Sequence, residues 1–351
     1  MSRETSAWLN TNTLIGFTDE RGTAWHYRAD DQGTEPNHYP GPIPIEDVQR
    51  RLFGWEAVES IKIAVTYRTP GGMLRTKVDH DRKAIIRADS TSPGTDSIFE
   101  YFKHGYQIHQ YRQWLLKNFG LLLDSDLRIG SAGLLDGGAR AWVQVEMPGS
   151  CDTPEGVRFR PFLSGATSLD GTLSTTYVRG AQLVVCDNTL SAALTEPGTG
   201  RIKIRHSRNS LGSITQVRQA LDIVHQVEQD FARQITALCQ IPVSDRQWDR
   251  FLAVEAAPGR DTKHSRARAD RKRADLEGLW RHDERVAPWA GTAYGVVAAI
   301  NTYTHHLKTV RGSSRADRNA ERAITGGVDK LDSKTVQVLN QILDNALAHA
   351  T

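Results

Sequence analysis

The sequence predicts an α+β protein: an antiparallel, β-rich core with covering helices and a predominantly helical C-terminal part. Three observations lead there. Turn-separated segments of alternating polarity recur between about residues 58 and 206, apolar residues then recur every three or four positions from Ser213 onward, and the composition is that of a globular chain. Of 351 residues, 39% are hydrophobic and 24% charged, and eight are tryptophan. The organisation expected is an irregular arm over 1–50, a β-rich core with a helical insert over 51–212, and a helical region with a basic connecting segment over 213–351.

Residues 1–50 are rich in Thr, Asn, Gly and Pro and read as irregular, with a short helix beginning at Ile45. Val58–Tyr67 alternates as a strand, Pro70-Gly71-Gly72 turns it into Met73–Val78, and Lys83–Arg87 follows as a third strand of a meander. Asp96–Phe119 carries Ile98, Tyr101, Phe102, Tyr106, Tyr111, Trp114 and Phe119 near helical spacing, which predicts one or two helices broken near Gly105. Leu127–Met147 reads as a hairpin turned at Asp136-Gly137-Gly138, where glycine reaches positive φ at little cost. Arg158–Leu163 and Leu173–Val178 are strand candidates. Leu183–Leu194 begins apolar and turns helix-like, with Asp187 or Asn188 as its cap. Arg201–His206 alternates as another strand. Ser213–Leu238 is the clearest helix of all, with Ile214, Val217, Leu221, Val224, Val227, Phe231, Ile235 and Leu238 on one face. Gln247–Glu255, Trp289–Val310 and Lys330–Leu347 are further helices.

The same composition excludes several classes. The longest apolar runs fall far short of the roughly 20 residues that cross a bilayer, and the polar interruptions near the N-terminus argue against export. Three cysteines, Cys151, Cys186 and Cys239, form no Cys-x-x-Cys clamp, so a reducing cytoplasm is the expected setting. Forty-four Lys and Arg against 41 Asp and Glu leave a net charge of only +3, so a basic surface must come from clustering.

Two clusters stand out. In the first, Arg201, Lys203 and Arg205 project from one face of a strand while Ile202 and Ile204 face the core, with His206 and Arg208 beside them. Such a stripe tracks phosphates through charge-assisted bonds. An ordinary solvated strand face is the competing reading. The second cluster, Arg266, Arg268, Arg271, Lys272 and Arg273 within Arg260–Asp275, wraps a helix and offers a diffuse electrostatic surface or merely a soluble connection. No His-Glu-x-x-His motif, phosphate-binding glycine loop or Cys/His set is present, so no metal or cofactor is expected. Asp79-His80-Asp81 lacks partner spacing for a metal.

Several segments together resemble the phage and plasmid family named for its domain of unknown function 932. They are Ser131–Arg140 with its following strand, Leu183–Leu190, Arg205-His206-Ser207, and Trp289–His306, with a resemblance running from about residue 50 to the C-terminus. Family members more often carry an amide where Asp187 stands and Thr where Ser207 stands. The resemblance implies no reaction and no catalytic residues, but a mobile-element setting in a bacterial host points to DNA or RNA transactions. A nucleic-acid-binding protein, engaging single-stranded DNA during recombination or replication, is therefore the leading expectation. The alternatives are an enzyme with a carboxylate site built from Asp79, Asp81 and Asp187, or a host-interaction protein that binds a protein partner or a second copy of itself. No membrane partner is expected.

Overall fold

A computed structural model describes residues 11–22, 35–88, 97–120, 123, 127–147, 149–183, 189–191, 201–207, 224–309 and 327–343. In chain order these form β1 (Thr13–Ile15), α1 (Thr18–Arg21), α2 (Ile45–Arg51), β2 (Glu56–Glu59), β3 (Ile63–Arg68), β4 (Leu74–Asp79), β5 (Arg82–Ala88) and β6 (Ser97–Lys103). A π-helical segment, Arg112–Lys117, then runs into a helical turn at Asn118–Gly120. Next come β7 (Arg128–Leu135), β8 (Arg140–Glu146), β9 (Cys151–Asp152), β10 (Arg158–Ser168), β11 (Thr175–Leu183), β12 (Thr189–Ser191) and β13 (Arg201–Ile204). The C-terminal helices are α3 (Val224–Gln240), α4 (Asp245–Glu255), α5 (Lys263–His282), α6 (Ala293–Thr302) and α7 (Gly327–Ile342). The fold is α+β, as the patterning predicts.

The main sheet has the order β1-β7-β8-β10-β11-β12, with β13 also on β11 and β9 on β10. All of its described pairings are antiparallel. One face carries Ile129, Ala132, Leu134, Ala141, Val143, Val145, Leu163 and Tyr177, and packs under Trp114, Leu115 and Phe119 of the π-helical segment and Val48, Leu52 and Phe53 around α2. At one end of β10, Val157 and Phe159 leave this core and join that of the C-terminal helices, where Phe159 meets Phe231 of α3 at 4.9 Å between ring centres. Sheet and helices thus share buried side chains.

The hairpin at Asp136-Gly137-Gly138 forms as expected, with φ of 50°, 66° and 95° at these three residues. Glycine supplies two of the three left-handed positions, which would strain other residues. Ser244 caps α4 in a reciprocal capping box with Gln247, and Thr262 and Thr292 accept from the backbone N–H groups of Ser265 and Gly295 at the starts of α5 and α6. At Gly295 a β-carbon would lie 2.2 Å from the Trp289 carbonyl oxygen, a backbone atom that has no rotamer to move through. Gly295→Ala is expected to lower stability by about 1–3 kcal/mol, the usual range for overpacking, read as a reduced urea midpoint with unchanged slope. A neutral outcome would mean that the Trp289–Thr292 turn shifts freely.

Several expectations need correction. The segment 1–50 is not wholly irregular, because Thr13–Ile15 pairs with Ser131–Gly133 at the edge of the main sheet. Three residues are too few to show alternation. Val58–Tyr67 is two strands broken around Ile61: β2 pairs β5, whereas β3 and β4 pair only with each other. The first half of Asp96–Phe119 is strand β6. There the register on β5 shifts between Ile85 and Ile86, and Phe99 becomes the extra residue of a bulge. Phe99 and Phe102 then both turn inward. Thr189–Ser191 is a strand antiparallel to β11 rather than the start of a helix, and the proposed caps Asp187 and Asn188 lie outside the described residues. Of the helix expected over Trp289–Val310, the part up to Leu307 is the end of a 3₁₀ turn, α6 and a π-helical turn in succession, and Val310 lies outside the described residues. Of the helix expected over Ser213–Leu238, the part from Val224 onward is described and is helical.

Candidate nucleic-acid interface and the buried imidazole pair

Strand β13 pairs with β11 in the register Thr175↔Ile204, Thr176↔Lys203, Tyr177↔Ile202 and Val178↔Arg201. Ile204 packs into the core with Tyr177, while Lys203 and Arg205 on either side of it are exposed. Neither side chain makes a hydrogen bond or ion pair among the described residues, although the Arg205 carbonyl accepts from the Ser207 backbone N–H at 2.9 Å. The Arg201 backbone lies in the strand, but its side chain and all of Arg208 lie outside the described residues.

His206 departs from this stripe. Period-two alternation puts position 206 on the Ile204 side, and the ring turns inward and stacks on His109 at 3.9 Å. A continuous ladder results: Phe102 on Tyr106 at 3.8 Å, Tyr106 on His206 at 5.0 Å, His206 on His109, and His109 on Trp114 at 3.8 Å. Below the imidazoles, His109 Nδ1 lies 2.6 Å from Thr175 Oγ1, which lies 2.7 Å from Thr167 Oγ1, itself 3.1 Å from His206 Nε2. Burial, with His206 adjoining, lowers the His109 pKa to about 3. Burial lowers that of His206 to about 4, with a hydrogen bond from the ring to the Gln107 backbone acting in the opposite direction. Both rings are therefore neutral at pH 7.

Four contacts link the two imidazoles and the two hydroxyls, the fourth running from Thr175 Oγ1 to His206 Nε2 at 3.4 Å. With both rings neutral, each carries one N–H, and the hydroxyls can donate or accept. Sequence reading missed His109, Thr167 and Thr175, whose positions are separated by up to 66 residues. No local signal marked His109, which sits among Gln107, Gln110, Arg112 and Gln113.

The helical cluster is largely neutralised. Arg266 pairs with Asp261, Lys272 Nζ lies 2.7 Å from Glu255 Oε1, and Arg273 pairs with Asp249 at 3.2 Å. Arg268 and Arg271 are exposed on α5 and have no such pair among the described residues. Of the carboxylates of the alternative site, Asp79 and Asp81 share one turn. Asp79 Oδ1 accepts from the Asp81 backbone N–H at 2.9 Å within the β4–β5 turn, and Asp187 lies outside the described residues. No group of three His, Cys, Asp or Glu suited to a metal occurs among the described residues.

A protein-family model described as a domain of unknown function, DUF932, matches residues 99–325. The chain belongs to the DUF932 family. No curated protein and no solved structure matches the chain. The DUF932 span is narrower than the resemblance from residue 50 suggests: it opens within β6 and contains His109, Thr167, Thr175 and β13, while β2 to β5 precede it. Among the described residues no helix is long and apolar enough to cross a membrane.

Proposed function

We propose that this DUF932 protein binds nucleic acid through the phosphate backbone, with single-stranded DNA in recombination or replication as the target class. The observation that carries this reading is the exposure of Lys203 and Arg205 on an edge strand, without acidic partners among the described residues, while three of the five helical cations are ion-paired. Cations left open on a strand meet phosphates without first breaking an ion pair, and Arg268 and Arg271 supply a second basic element. The mobile-element character of the family resemblance supports the same reading. His206, stacked inside, acts beneath the surface as a support for the end of β13.

The test is fluorescence anisotropy with single-stranded and duplex oligonucleotides across a salt series. Replacing Arg201, Lys203 and Arg205 by Gln is expected to make the log-affinity against log-salt slope shallower by roughly 2 to 3 on a duplex and somewhat less on a single strand. Circular dichroism should be unchanged. Absence of wild-type binding near physiological salt would reject the reading, and an unchanged slope in the folded variant would reject this strand as the surface.

A further inference from the structure

Strands β3 and β4 form a two-stranded ribbon that pairs with no other strand. Its two faces are open, with every residue from Ala64 to Arg68 and from Leu74 to Lys77 exposed. The ribbon with its flanking Lys62 carries Lys62, Arg68, Arg75 and Lys77 against one acidic residue, Asp79, at the base of the ribbon opposite Ile63, in a chain where the two signs are nearly balanced. Of the ten large hydrophobic side chains exposed among the described residues, five lie within residues 61–78: Ile61, Val65, Tyr67, Met73 and Leu74.

Register separates the two faces. Tyr67 is opposite Arg75 and Val65 opposite Lys77, so one face alternates apolar side chains with cations. The other presents Thr66 and Thr76, hydrogen-bonded to each other at 2.9 Å, with Arg68 donating to the Gly72 carbonyl and so bracing the turn. A second copy is a poor occupant, because pairing ribbons would bring eight cations together, four from each. A polyanion with a groove is the complementary partner.

We infer that the β3–β4 ribbon docks in the major groove of duplex DNA, with Arg75 and Lys77 on its phosphates or base edges and Val65 and Tyr67 filling the space between. The inference rests on the nucleic-acid reading and extends it to a second element and a duplex target. Two strands about 4.8 Å apart and roughly 20 Å long fit a groove about 12 Å wide. The narrow major groove of A-form RNA does not admit them.

The full-length protein, Arg75→Gln/Lys77→Gln and the charge reversal Arg75→Glu/Lys77→Glu are compared by anisotropy on duplex DNA, duplex RNA and single-stranded DNA, with sedimentation velocity alongside. The Gln pair is expected to lose roughly 60-fold in duplex-DNA affinity at 0.1 M salt, the value of two phosphate contacts. The Glu pair should lose more, and single-stranded DNA much less. Because these side chains are exposed, both variants should retain the wild-type circular dichroism. If the wild type binds nucleic acid and both variants keep its duplex affinity and salt slope, the ribbon is excluded while the backbone-binding reading stands. If the wild type binds none, both readings fall. A change of sedimentation in the variants with duplex affinity retained would assign the ribbon to self-association and overturn the inference.

Discussion

Lowering the pH from 7 to 5 is expected to remove about 4 kcal/mol of folding stability, roughly 2 kcal/mol through each of His109 and His206. In the unfolded chain both imidazoles take up protons below about pH 6.5. In the native state burial holds His206 to about 4 and His109 to about 3. The unfolded state therefore binds two more protons throughout the window between about 6.5 and 4, and stability falls by about 2.7 kcal/mol for each pH unit within it. The contribution is fully present above the unfolded pKa and is lost on acidification. Urea unfolding at pH 7, 6 and 5 reads it directly. His109→Gln/His206→Gln should be less stable at pH 7, because it disrupts the threonine chain, yet much less sensitive to acid. Equal acid sensitivity in wild type and double variant would refute this account.

Trp248→Ala is expected to lower stability by about 3–5 kcal/mol, the range for truncating a buried aromatic. Trp248 is 1% exposed, stacks on Trp280 at 4.2 Å and lies 5.8 Å from Phe251. Removing its ring leaves a void that α4 and α5 cannot both close. Because Phe159 of β10 belongs to the same core, far-ultraviolet circular dichroism and tryptophan fluorescence should report one shared transition at a lower urea midpoint. A loss below about 1 kcal/mol would show that the two helices collapse onto the vacancy.

The elements read correctly from sequence are those whose signals are local. Asp136-Gly137-Gly138 carries its own backbone preference, and the pattern over Gln247–Glu255 announced α4, although its Ser244 cap was not read. Strand β6 was misread because Ile98, Tyr101 and Phe102 fall at helical spacing although Ile98 and Tyr101 are exposed on the strand, and β12 because three residues hold no period. At the candidate interface, alternation around Ile204 did identify Lys203 and Arg205 as outward-facing. The same alternation, followed two residues further, sends His206 inward, yet its charge type grouped it with the stripe. Its partners were not legible because His109, Thr167 and Thr175 come from separate segments, and only sheet register and the overlying loop bring them together. The pairing of β3 with β4 followed from the glycine turn, but their isolation from every other strand depends on where β2 and β5 meet.

The edge position of β1 bears on how the chain is made. Thr13–Ile15 closes on Ser131–Gly133, and Glu20 beyond it pairs with Arg160 at 2.6 Å. At roughly 5–20 residues per second, the roughly 115 residues between β1 and its partner take on the order of 6–23 s to synthesise. The ribosome thus delivers the closing strand first and its docking edge last. During that interval β1 has only its backbone bridge to Asn37–Tyr39, and its β7-facing edge is open to any extended segment nearby. Vectorial synthesis makes completion of this edge a late, long-range event, ordered by the emergence of β7 rather than by the early appearance of β1.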